Sequence, residues 1–200
     1  MPSRSLLIAT GNRHKFDEIA AFLCGAPWQF KSLRDFPPFG APSESGDSFE
    51  ANALIKARAY GAHFGVACVA DDSGLIVDAL HGAPGIYSAR YAGDGCTDAE
   101  NNEKLLRELR DVPDEGRGAR FVCCCVLARP GEAPHVERGV VEGRIARRVS
   151  GTNGFGYDPL FIPDGYDRSF GELGPEVKAS ISHRAAAFGK LRAYLERDLS

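Results

Sequence analysis

The chain has 200 residues, 44% of them hydrophobic and 26% charged, with a net charge of −3. That is enough for one substantial domain, or two lobes sharing a core, and too little for two large domains. No apolar run approaches transmembrane length, and no global basic field exists to drive non-specific nucleic-acid binding, so no nucleic-acid or membrane partner is expected.

Residues Met1-Pro2-Ser3-Arg4-Ser5-Leu6-Leu7-Ile8 carry one charge and a short apolar run, then lead directly into Thr10-Gly11-Asn12. They read as a first strand, Leu6 to Ala9, rather than a signal peptide. An amphipathic helix follows, with Phe16, Ile19, Ala20 and Leu23 at i, i+3, i+4 and i+7. Residues 36 to 47 form a Pro-containing loop that carries Glu44. Asp47 and Glu50 have capping-box spacing and open a second helix running to about His63.

Val66 to Val69 reads as a buried strand ending at Asp71-Asp72-Ser73-Gly74, which holds two carboxylates at the edge of a sheet. A Gly/Pro-rich segment, Gly82 to Tyr91, comes next, and Thr97 with Glu100 caps a third helix to about Leu109. Ala119 to Ala128 is apolar on both faces and predicts a central strand covered on both sides. Val136 to Val149 reads as a hairpin partner pair, more polar and nearer an edge. Gly151 to Pro159 is a glycine-rich loop with two aromatics, and a last helix spans roughly Ser182 to Leu199 with Phe188, Leu191 and Leu195 on its buried stripe. Alternating helices and strands followed by clustered strands predict a mixed α/β sheet rather than a purely parallel one.

The six cysteines are Cys24, Cys68, Cys96 and the run Cys123-Cys124-Cys125. None has C-x-x-C spacing, so buried reduced thiols fit better than disulfides or zinc, and a cytoplasmic location is expected.

The chemistry concentrates in four places. Thr10-Gly11-Asn12-Arg13-His14-Lys15 is a strand–turn–helix junction; helix N–H groups, a hydroxyl and an ammonium can cradle phosphate, though the segment is not a Walker A loop. Asp71, Asp72 and Glu44 form a group of carboxylates. Adjacent aspartates repel unless a cation sits beside them, and a hard cation such as Mg²⁺ carrying phosphate oxygens would serve; a solvated turn is the plainer alternative. Phe155-Gly156-Tyr157-Asp158 offers an aromatic face on which a planar base can stack, or a core plug. His183 and Arg184 follow the natural N-cap Ser182, where cations oppose the helix dipole and are free to donate hydrogen bonds to a ligand carbonyl.

In chain order, the patterns T-G-N-x-x-K, A-D-D-S-G-L, G-x-P-G-x-Y-S-A-R-Y, G-F-G-Y-D-P-x-F and K-x-x-x-S-H-R closely resemble the inosine/xanthosine triphosphate pyrophosphatase family, from Leu7 to about Leu195. The resemblance implies one nucleoside-triphosphate pyrophosphatase domain over residues 1–200. Its fold would be an elongated mixed α/β structure with two lobes flanking a central nucleotide-binding cleft, in a homodimer. It also implies Mg²⁺-dependent hydrolysis of non-standard purine nucleoside triphosphates (dITP, ITP, XTP) to the monophosphate and pyrophosphate. By this resemblance Thr10, Gly11, Asn12, Arg13, His14 and Lys15 bind the triphosphate, Asp72 is proton acceptor and metal ligand, Glu44 is a second metal ligand, and Ser73 touches substrate. Phe155, Gly156, Tyr157, Asp158, Lys178, His183 and Arg184 hold the base and ribose end, with Lys56 a further phosphate contact. One departure is Ala51, where many members carry a glutamate directly before the asparagine of the second helix; here Glu50 stands one place earlier. The rival readings are a pyrophosphatase for pyrimidine or modified nucleotides and a non-catalytic nucleotide-binding sensor.

Overall fold

A computed structural model describes residues 4–26 and 28–197. The strands are β1 (Arg4–Ile8), β2 (Trp28–Ser32), β3 (Ala67–Val77), β4 (Gly118–Ala128), β5 (His135–Ile145) and β6 (Phe161–Pro163). The helices are α1 (Arg13–Phe22), α2 (Phe49–Phe64), α3 (Asp98–Glu108), α4 (Pro175–Ile181) and α5 (His183–Arg197). Among the described residues the strands form one sheet in the order β2-β1-β3-β4-β5-β6. β1 runs parallel to β2 and β3, while β5 and β6 are antiparallel, so the mixed α/β sheet expected from the sequence is present. No helix among the described residues is long and apolar enough to cross a membrane.

The chain divides into two compact units: residues up to Asp72 with Cys123–Gly139 and Arg184 onward, and Ser73–Val122 with Val140–His183. In the first unit, strand alternation builds two apolar layers. Leu6, Ile8, Val69, Cys123, Cys125 and Leu127 face one way, onto Ile19 and Leu23 of the α1 region and Ala187, Phe188, Leu191 and Leu195 of α5. Leu7, Cys68, Ala70, Val126 and Ala128 face the other way, onto Ala53, Ala57 and Tyr60 of α2. A period of two in the side chains is what lets one strand serve both layers. The second unit closes around Leu75, Val77, Phe121, Ile145, Phe161 and Phe170, with Leu105 and Leu109 supplied by α3 and its C-cap. Its buried Arg117 donates to the carbonyls of Leu109 (2.6 Å), Ile145 (2.8 Å) and Ala146 (2.9 Å), tying the end of α3 to that of β5.

Several local expectations need correction. The Asp-Asp-Ser-Gly segment does not end a strand: β3 runs eleven residues through it, because Leu75 and Val77 beyond it are fully buried and extend the pairing. Helix α2 is capped by Ser48, whose side chain accepts from the Ala51 N–H, rather than by Asp47. Spacing cannot choose between neighbouring cap residues; the bond from the Gly46 N–H to Asn52 Oδ1, at 2.8 Å, sets the helix entry here. Gly65 ends the helix in the left-handed region, φ 66°. The Thr97–Glu100 box forms as expected, with both halves present. Val136 to Val149 holds a single strand, β5, whose partner β6 is three residues long and lacks a readable pattern. Helix α4 and strand β2 escaped the sequence reading. The last helix starts at His183, and its expected end at Leu199 lies outside the described residues. All six cysteines are free; Cys24 is exposed and Cys96 half-buried, so burial holds only for Cys68 and the run 123–125.

Leu191, fully buried between α5 and the sheet, reports on the packing that seats Arg184. Leu191→Ala is expected to cost about 2–5 kcal/mol in urea unfolding; a loss well under 1 kcal/mol would mean that α5 is not held through this stripe.

Candidate functional site

Strand β3 carries Asp71 and Asp72 side by side, both buried, at 2% and 7% exposure. Successive residues of a strand point to opposite faces, so the two carboxylates do not share an environment. Asp71 continues the Val69 face, toward α1 and α5. There its Oδ2 lies 3.2 Å from Lys15 Nζ and 3.5 Å from Arg184 Nε. The Arg184 guanidinium also reaches Glu18 Oε2, at 3.2 Å. Asp72 continues the Ala70 face, toward α2. Its Oδ1 lies 3.4 Å from Lys56 Nζ and its Oδ2 accepts from Asn52 Nδ2 at 3.2 Å. Lys56 in turn lies 3.3 Å from Glu44 Oε1, on the loop before α2. The expected trio of carboxylates is therefore split: Glu44 and Asp72 meet at one lysine, and Asp71 belongs to the opposite face.

The electrostatics follow from burial and sign. Burial lifts the Asp72 carboxyl above its ordinary value; Lys56 opposes the rise, Glu44 adds to it, Lys15 opposes and Asp71 adds. Burial alone would lower the Lys56 ammonium, but Asp72, Asp71 and Glu44 outweigh it and hold the group above the usual lysine range. Cys123, wholly buried beneath Asp71, is pushed well up and stays a thiol.

The first phosphate-type segment is a true strand–turn–helix junction. Asn12 caps α1 by accepting from the Lys15 N–H (3.2 Å), and Thr10 Oγ1 accepts from the Asn12 N–H (3.2 Å). Gly11, Asn12 and His14 are exposed, and Arg13 points to solvent beside Asp17, 3.9 Å away. Lys15 of this segment reaches the Asp71 carboxylate.

In the second unit, Asp158 is the centre. Its Oδ2 accepts from the Phe155 N–H (2.9 Å) and from Lys178 Nζ (2.7 Å), with both side chains nearly buried. Gly154 makes this possible: at φ 76°, an added Cβ would sit 2.0 Å from that same oxygen. Lys178 Nζ also lies 4.5 Å from the centre of the Phe155 ring. Asp98 Oδ2 accepts from the Gly156 N–H (2.7 Å), and Asn102 Nδ2 donates to its carbonyl (2.9 Å). An apolar pocket of about 480 Å³ borders Phe155 and Gly156 against Asp98, Asn102 and Leu106 of α3. Tyr157 is core, its hydroxyl donating to the Ser88 carbonyl at 2.8 Å, and His183 stacks on Phe121 at 4.9 Å. Ser73, half-buried, follows Asp72 on β3.

Sequence reasoning missed Asn52, Glu18, Asp98 and Asn102. A lone polar residue among alanines on the buried stripe of α2 was the signal for Asn52; Glu18 and Asp98 lie at helix surfaces, Asn102 is buried, and none of the three stands out until the fold supplies its partners.

A family model described as the Ham1 family matches residues 6–194. A dITP/XTP pyrophosphatase of Nocardia farcinica is 48% identical over 194 residues, covering 96% of this chain and 94% of that one. One from Oceanobacillus iheyensis is 44% identical, covering 96% and 98%. The Ham1 protein of Staphylococcus aureus superposes with a TM-score of 0.89 at 38% identity, over 98% of this chain and 100% of that one. A nucleoside-triphosphatase / dITP/XTP pyrophosphatase from Mycobacterium abscessus gives a TM-score of 0.78 at 47% identity, over 96% and 98%. The chain belongs to the Ham1 family.

The raised Asp72 carboxyl has a stability consequence. A folded-state value above the unfolded one, about 3.9, means that the folded chain binds more protons in that window, so stability falls as Asp72 ionises with rising pH. In the presence of a chelator, Asp72→Asn is expected to melt above wild type at pH 7. The gap should close as pH falls below about 3, where the carboxyl is protonated in both states. A variant melting below wild type at pH 7 would mean that the attraction of Lys56 outweighs burial.

Proposed function

We propose that this chain hydrolyses non-standard purine nucleoside triphosphates (dITP, ITP, XTP) to the monophosphate and pyrophosphate. The observation that carries the reading is the Asp72–Lys56–Glu44 contact, in a chain that matches proteins named dITP/XTP pyrophosphatase over nearly its whole length. Two hard carboxylates facing one cation, in a site for a polyanion, are the donor set that Mg²⁺ takes when substrate phosphates complete its shell. Asp72 and Glu44 would hold Mg²⁺, which supplies Lewis-acid neutralisation of phosphate charge and acidifies water.

The chain's own residues divide the remaining work. Asp72 accepts the proton of the water that attacks the α-phosphorus in line, and pyrophosphate departs; its carboxylate is aligned for this by Lys56 on Oδ1 and Asn52 on Oδ2. Lys15 and the backbone of Thr10, Gly11, Asn12, Arg13 and His14 at the start of α1 hold phosphate oxygens. Lys56, Arg184 and Ser73 add contacts along the phosphates and sugar, and the cations stabilise the charge that develops on the leaving group. At the base end, the Phe155 ring offers a stacking face. Gly156, Tyr157, Asp158 and His183 hold the loop and helix start around it, and the Lys178 ammonium is a donor beside it. Hypoxanthine and xanthine present an acceptor at C6 and adenine an amino donor; a buried donor left unpaired against adenine costs about 1–3 kcal/mol. A cytoplasmic homodimer, with residues 1–200 as one catalytic domain, completes the proposal.

The test is hydrolysis of ITP, XTP, GTP and ATP by purified protein with Mg²⁺, resolving pyrophosphate from orthophosphate. Pyrophosphate from ITP and XTP, with ATP and GTP nearly inert, is the expected result. Asp72→Asn should abolish turnover while a non-hydrolysable ITP analogue still binds. No turnover of any purine triphosphate by folded protein would sink the reading and favour a silent nucleotide binder or a different base.

A further inference from the structure

Asn52 is 0% exposed, in the first turn of α2 on the buried stripe it shares with Phe49, Ala53, Ala57 and Tyr60. Asparagine is a poor helix former, and a buried amide costs stability unless all its groups are bonded. This one is bonded in two opposite senses: Oδ1 accepts from the Gly46 N–H at 2.8 Å, and Nδ2 donates to Asp72 Oδ2 at 3.2 Å. An N–H on one side and a carboxylate on the other permit only one amide orientation. Aspartate would lack the donor, and alanine both groups. Gly46 is seated hard against this point, since an added Cβ would lie 2.7 Å from Ala51 Cβ and 2.8 Å from Asn52 Oδ1. Two residues before it, Glu44 reaches Lys56, which holds the other oxygen of Asp72.

We propose that Asn52 is a positioning residue that locks the Glu44 loop in register with Asp72, so that both carboxylates address the same point. With Oδ1 held by Lys56 and Oδ2 by Asn52, the Asp72 carboxylate has one orientation, and the same amide fixes the loop that brings Glu44 alongside. Partners that orient ligating or catalytic carboxylates typically carry a large part of a site's activity without touching substrate. The proposal rests on the roles given above to Glu44 and Asp72.

Two variants test it. Asn52→Ala removes the bridge, and Gly46→Ala forces the loop away from Asn52 while every side chain of the Glu44–Lys56–Asp72–Asn52 group keeps its chemistry; the second carries the test if the first does not fold. Amide hydrogen exchange over residues 43–48 is measured in nucleotide-free protein, and kcat and KM for ITP are measured with Mg²⁺. Faster exchange in that segment, with kcat reduced roughly 10–100-fold and KM little changed, is expected. Unchanged exchange in a folded variant overturns the proposal, and so does faster exchange with kcat intact. A wild type that turns over no ITP would overturn the functional reading alone, because the exchange comparison still decides whether Asn52 holds the loop.

Discussion

Two adjacent carboxylates in the middle of a buried strand are the constraint around which the first unit is arranged. Asp71 and Asp72 cannot turn toward each other, because a strand sends neighbours to opposite faces. Each therefore needs its own cation, and each receives one from a different helix: Lys15 from α1 and Lys56 from α2. Arg184, at the start of α5, adds a second cation on the Asp71 face. The layers that bury Leu6 and Ile8 on one side and Leu7 and Ala70 on the other deliver these helices to their carboxylates.

The arrangement is electrostatically uneven, and the unevenness separates the two acids. On the Asp72 face, the second acid Glu44 shares the same lysine and burial disfavours charge, so the carboxyl is lifted. On the other face two cations bracket Asp71, which fits a group that orients Lys15 and Arg184. The Asp72 carboxylate is held on both oxygens, Oδ1 by Lys56 and Oδ2 by Asn52. In the second unit the same economy recurs with a single acid: Asp158 ties Lys178 and the Phe155 backbone together, and only a glycine at 154 leaves room for it.

Much of this was legible from residue order. The turn chemistry of Thr10 to Lys15, the Thr97–Glu100 cap and the apolar stretch Ala119 to Ala128 are local signals, set by helix-end hydrogen bonding and by burial on both faces, and each appears where the pattern put it. The strand through Asp71-Asp72-Ser73-Gly74 was not legible. Its residues are turn formers by propensity, and only the pairing and burial of the fully enclosed Leu75 and Val77 overrule that preference. Helix α4, seven residues long, and strand β6, three residues long, are too short to show a period.

The sequence by itself determined the mixed α/β class, the family and the identities of the charged side chains, because these depend on local pattern and on motifs in order. Tertiary structure alone decided which charges meet. Lys15 finds Asp71 across 56 positions, Glu18 finds Arg184 across 166, and Asn52 stands between Gly46 and Asp72. Spacing in the chain carries no record of such pairings. They exist because strand alternation and two helix-packed faces close those distances at the moment the core forms.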